Sequence, residues 1–63
     1  MSFSDNLKRL MQEKKVTNYR VAKELEMSPA SVGYWLNGER TPDTKNVLKL
    51  SEYFGVTVEQ LMK

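Results

Sequence analysis

Phe3, Leu7, Leu10 and Met11 fall at i, i+4, i+7 and i+8, a spacing that places four apolar side chains on one stripe of an α-helix. The stripe predicts a first helix running to about Lys14, capped by Ser2 or Ser4, with Asp5 suited to its positive N-terminal end. Thr17 then reads as the cap of a short second helix whose inner side is Val21, Ala22 and Leu25. Ser28-Pro29 is a start signal for a third: a capping hydroxyl, then proline at the first helical position, where its missing N–H costs nothing. Val32, Trp35 and Leu36 form its apolar face, and Asn37-Gly38 stops it. After a loop over 39–42, Asp43 or Thr44 opens a fourth helix with Val47, Leu50, Ser51 and Phe54 inward and Gly55 at its end. Thr57-Val58-Glu59-Gln60 has the form of a capping box, with Val56 and Leu61 at the positions of a hydrophobic staple, so a fifth helix follows from Val58.

No strand-like alternation competes with these signals, and there is no internal repeat or low-complexity segment. The expected architecture is all-α: residues 1–63 as one domain of five short helices. At 63 residues this is near the lower limit for a core that stands without staples, and Cys 0 leaves packing as its only support. The four methionines read as core filler, and the helical spacing of Trp35 makes it a core residue rather than a stacking platform.

Composition narrows the chemistry. Without cysteine or histidine there is no thiol nucleophile, no histidine base and no zinc finger, and the five serines lack the usual partner of a hydrolase triad. A non-enzymatic domain that needs no cofactor is expected. The first residues carry no apolar signal-peptide core, and no apolar run has the length of a membrane span. A soluble, cytoplasmic protein is the expectation. Net charge is only +2, but it is unevenly placed. Lys8, Arg9, Lys14, Lys15, Arg20 and Lys23 face a single acid, Glu13, over residues 8–23, whereas residues 27–38 hold no charge at all. A basic stretch beside an uncharged one that carries serines and aromatics marks a surface that meets something.

The informative segment runs from Asn18 to Asn37. Two short helices are separated there by a turn around Glu26-Met27, with small Ala22 on the inner side of the first. This is the spacing of a helix-turn-helix, with an ordinary αα corner without a ligand as the lesser alternative. The ordered set Thr17-Asn18, Trp35-Leu36-Asn37-Gly38, Pro42, Leu50-Ser51, Phe54-Gly55-Val56 and Leu61 resembles the phage-repressor and Cro type of helix-turn-helix, the lambda-repressor-like or XRE family. The resemblance covers about residues 3–62, and no single motif in it is unique to that family.

Such a resemblance implies a phage or bacterial transcriptional repressor or regulator. It would bind double-stranded operator DNA, usually as a two-fold dimer, with the third helix (about 28–37) in the major groove. It implies a backbone contact by Asn18, with Thr17 beside it at the start of the second helix. Pro29, Ala30 and Tyr34 match the groove-facing positions, and Ser28 and Ser31 lie at the N-terminal end of that helix. Asn37 and Arg40 match the turn beyond it, and Arg20 and Lys45 are electrostatic contributors.

Three departures from the family pattern bear on this. Glu26 stands where many relatives have a turn glycine. Met11 and Leu36 stand where many have an arginine–glutamate pair, an apolar exchange that is tolerated when both partners change. Pro29, Ala30 and Tyr34 include no Arg, Gln or Asn, so the strong bidentate base contacts are missing and readout would be weak or shape-dependent. Two functions stay open at this point: sequence-specific DNA binding, and a protein-interaction module on the same fold that docks a partner such as a toxin or polymerase subunit through residues 27–38. A membrane-surface role for the basic first helix is disfavoured by its acids.

Overall fold

A computed structural model describes residues 2–63. The first helix, α1 (Phe3–Lys14), begins at Ser2, whose hydroxyl accepts the Asp5 amide at 3.3 Å. Its stripe is realised in full: Phe3, Leu7, Leu10 and Met11 are buried. α2 (Asn18–Leu25) is capped by Thr17, which accepts from the Arg20 amide, and it buries Val21, Ala22 and Leu25. α3 (Pro29–Leu36) buries Val32 and Trp35, with Leu36 only half-buried. α4 (Thr44–Phe54) is capped by Asp43 through the Asn46 amide at 2.9 Å. The capping box of α5 (Val58–Met62) closes reciprocally: the Thr57 amide donates to Gln60 Oε1 at 2.9 Å and the Gln60 amide to Thr57 Oγ1 at 3.0 Å.

Five helices, and no strand, make up the described residues. α1 packs on α3 and α5, α2 on α3 and α4, and α4 on α5. Leu7, Val21, Val32, Leu50 and Leu61, contributed by all five helices, are the largest side chains sealed from solvent. Phe3 meets Trp35 edge-on at 6.2 Å, which ties α1 to α3. Of the methionines, Met11 is buried and Met27 packs half-buried against the core, as expected, but Met62 is 38% exposed; Met1 lies outside the described residues. Met11 and Leu36 both line one shallow hollow, with Lys8, Gln12, Lys15 and Val16.

The helix ends explain how so short a chain reverses. At Lys15 and Glu26, both near φ 57°, and at Gly55, the backbone enters the left-handed region, and Gly38 does so just after α3. At Glu26 the Met27 amide reaches back to the Ala22 carbonyl at 2.9 Å and the Glu26 amide to the Lys23 carbonyl at 3.2 Å, satisfying carbonyls that a helix end otherwise orphans. The turn therefore sits where the sequence placed it, without the glycine. Exposed Glu26 pays the steric penalty of a Cβ at positive φ. Glu26→Gly should accordingly raise the unfolding free energy by about 0.5–1 kcal/mol in a denaturant titration, after the cost of a more flexible unfolded chain. Glu26→Val should lower it, because β-branching is poorly tolerated there. A glycine variant less stable than the parent would show that Glu26 makes a contact this geometry lacks.

Asn6 escaped the sequence reading. It is 2% exposed, and its side-chain amide donates to the Leu61 carbonyl at 2.9 Å and also to the Lys63 carbonyl, holding the last turn of α5 against α1.

Candidate nucleic-acid interface

The two helices around the Glu26 turn present different faces to the inside and the outside. Around α3 the inward side is Val32 and Trp35, and the opposite side carries Ala30, Gly33, Tyr34 and Asn37. Ala30, Tyr34 and Asn37 are exposed, whereas Pro29 is half-buried at the edge of that face. Pro29 begins the helix as expected and is half-buried there.

Ser28 corrects one expectation. It holds the N-cap position of α3, yet its hydroxyl makes no cap hydrogen bond to the helix backbone; it lies 3.2 Å from the Ser31 hydroxyl instead. The two hydroxyls form a pair at the start of α3, Ser28 exposed and Ser31 half-buried. An exposed hydroxyl not committed to the backbone is free to meet an outside acceptor.

At the start of α2, Thr17 is spent as the cap, and Asn18, half-buried, occupies the first helical position. Arg20 is exposed, but its Nε lies 3.2 Å from Glu24 Oε1 one turn on. An exposed i, i+4 pair of this kind is weak, though it gives the guanidinium a carboxylate neighbour that competes with any other anion. Arg40 belongs to none of the ion pairs among the described residues, which involve Arg9, Arg20 and Lys63. Its guanidinium carbon instead lies over the Tyr34 ring, 4.6 Å from the centroid. Tyr34, Arg40 and Ser31 thus share one hollow, walled also by Thr41, Pro42, Asp43 and Asn46. Lys45 is exposed in the first turn of α4 and does not line this hollow.

The charge at the helix ends also differs. α1 and α5 carry an acid in the first turn, Asp5 and Glu59, whereas α2 and α3 carry none and are capped by the neutral Thr17 and Ser28. The positive ends of α2 and α3 therefore carry no acid in their own caps or first turns, a condition that suits an external anion at a helix N-terminus. Among the described residues no group of three or more acids stands ready to hold a metal, and no helix is long and apolar enough to cross a membrane.

Two residues outside the expected contact set also lie on this surface. Gly33 lies on the outward side of α3, and a Cβ built there would meet nothing within 4 Å; no neighbour in the domain requires a glycine. Tyr19, 70% exposed beside Asn18, is a large aromatic that no core contact explains. An aromatic just inside a capped helix start, out of phase with the apolar stripe, was the available signal.

Comparison with known proteins agrees with this geometry. The helix-turn-helix family model matches residues 7–61. An uncharacterised HTH-type transcriptional regulator, YqaE, from Bacillus subtilis (strain 168) is 37% identical over 97% of this chain and 53% of its own length. The HTH-type transcriptional activator BcrR of Enterococcus faecalis is 27% identical over 98% of this chain and 30% of its own. The chain thus spans from under a third to about half the length of these curated relatives. Among solved structures, a transcriptional regulator from Listeria innocua superposes with a TM-score of 0.92 at 31% identity, covering 97% of this chain and 57% of that one. The restriction-modification controller protein C.AhdI from Aeromonas hydrophila shares the fold, with a TM-score of 0.85 at 23% identity over 95% and 91% of the two chains. A cap at Thr17, a reversal at Glu26 and an outward-facing third helix stand inside a match that spans nearly all of the sequence: the chain belongs to the helix-turn-helix family of XRE type.

Proposed function

We propose that this domain binds operator DNA sequence-specifically and regulates transcription, with α3 lying in the major groove and the N-terminus of α2 seated on the phosphate backbone. The observation that carries the reading is the outward side of α3. Ala30, Gly33, Tyr34 and Asn37 make a narrow, uncharged strip, and α2 and α3 carry no acid in their caps or first turns. A strip of that width admits close approach to base edges, and the helix ends favour phosphate oxygens.

Roles follow from the placement. Asn18 and the free amides at the start of α2 hold a phosphate, with Thr17 fixing that helix end. Ser28, Pro29 and Ser31 border the entering end of α3. Ala30 supplies apolar contact to a thymine methyl, and Tyr34 a hydroxyl or ring contact to a base. Asn37 and Arg40 contact the backbone past the helix, and Lys45 adds charge at α4. Arg20 contributes less, given its Glu24 neighbour. Binding as a two-fold homodimer fits the apolar pair Val58 and Met62, 40% and 38% exposed one turn apart on α5, while Leu61 between them is sealed in the core. Repression is the proposed outcome of operator occupancy, in a cytoplasmic protein.

The test is a salt titration of binding to duplexes selected from a random pool. Affinity should fall steeply and linearly on logarithmic axes through counterion release, and the selected sequences should share a two-fold symmetric consensus. A domain that enriches no sequence and shows no salt-dependent DNA affinity is a protein-docking module instead.

Gly33 gives a second check in which two measurements move in opposite directions. Gly33→Ala should stabilise the domain by about 1 kcal/mol, since the methyl meets nothing and alanine favours helix. The same methyl stands on the groove-facing strip and should weaken binding to the selected duplex. Tighter binding together with higher stability would take Gly33 off the interface.

A further inference from the structure

Arg40 and Tyr34 enter the reading above as separate contacts, one to phosphate and one to a base. Their geometry joins them. The Arg40 guanidinium carbon stands 4.6 Å from the centroid of the Tyr34 ring, within the range where a cation is held by the negative face of an aromatic. The segment that carries Arg40 is tied back to the last turn of α3, because the Glu39 amide donates to the Tyr34 carbonyl at 3.0 Å and the Gly38 amide to the Trp35 carbonyl at 3.2 Å. Gly38 turns the chain back at φ 76°, and Pro42 limits its freedom two residues beyond Arg40. Among the described residues Arg40 makes no ion pair, unlike Arg20, although Asp43 lines the same hollow. Tyr34 itself is 38% exposed at its outward position on α3.

The geometry points to Arg40 as a positioning residue for sequence readout: by holding the Tyr34 ring, it makes base reading by α3 and charge contact by the following turn one coupled unit. The inference rests on the DNA-binding function proposed above. A simple phosphate contact would weaken all sequences alike; a positioning contact also lowers the preference for the right one. Lysine separates the two roles, because it keeps the charge but lacks the planar, weakly hydrated guanidinium that sits well on a ring.

The experiment compares the unaltered domain, Arg40→Lys, Tyr34→Ala and the double variant. Each is measured on a selected duplex and on a scrambled duplex of the same length, at several salt concentrations. Arg40→Lys should leave the salt slope unchanged yet reduce the preference for the selected duplex by roughly two- to fivefold. In the Tyr34→Ala background the same substitution should change the preference by nothing measurable. In the DNA-free protein, NMR should show ring-current shifts of the Arg40 side-chain protons that vanish in Tyr34→Ala, a readout independent of any ligand. Preference unchanged in Arg40→Lys, or reduced equally with and without Tyr34, overturns the coupling while DNA binding stands. An unaltered domain that binds both duplexes equally overturns it as well. A domain that binds neither overturns the DNA-binding function itself, and the positioning role with it.

Discussion

Trp35→Ala should abolish cooperative folding of the domain. Trp35 is 4% exposed, packs its ring edge-on against Phe3 and shares the core with Val32 and Leu7. Truncating a buried tryptophan costs about 3–5 kcal/mol, and a core of this size supplies little more than about 3–5 kcal/mol in total. The helical circular-dichroism signal should therefore melt without a sigmoidal transition, or with one shifted down by tens of degrees. Trp35→Phe keeps most of the apolar area and should remain folded at reduced stability. A cooperative alanine variant with near-parent stability would place Trp35 on the surface and invalidate the helix phase on which the interface depends.

Tyr34→Ala, one position earlier, should do the reverse. The side chain lies outside the core, so unfolding stability should stay within about 0.5 kcal/mol of the parent. Affinity for a selected duplex should nevertheless drop by about 1–3 kcal/mol, the usual worth of a side chain that reads a base. Tyr34→Phe divides this loss between the hydroxyl and the ring. Unchanged binding in Tyr34→Ala would remove α3 from the groove, whereas an unfolded variant would show that Tyr34 has a packing role. Adjacent substitutions with opposite readouts follow from a 100° step around a helix.

That step is why most of the fold could be read in advance. Apolar periodicity and capping hydroxyls are local, and Thr17, the Thr57–Gln60 box and the stops at Gly38 and Gly55 all act within four residues of the end they define. Glu26 was legible for a different reason: two flanking residues that must both point inward, Leu25 and Met27, leave the chain little choice between them. What stayed hidden depends on distant partners or on small energy differences. Asn6 meets carbonyls more than fifty residues away. Lys15 turns left-handed with no glycine to announce it. The Ser28 hydroxyl had two available partners, the helix backbone and Ser31, and nothing in the sequence ranks them. The interface was legible as a set of positions but not as a surface. Pro29 is set to its edge, Gly33 is added to it, and the Arg40–Tyr34 contact forms across a turn whose path the sequence leaves open.

The central claim is that the outward side of α3, with the start of α2 and the turn at Arg40, is the surface that meets DNA. It is tested most directly by titrating the isotopically labelled domain with a selected duplex and following its backbone amides by NMR. The account predicts the largest shifts at Asn18, Ala30, Gly33, Tyr34, Asn37 and Arg40, with Arg9, Glu13 and their neighbours on the outer side of α1 left unmoved. Shifts gathered on α1, or on Val58 and Met62 of α5 with α3 silent, would contradict it.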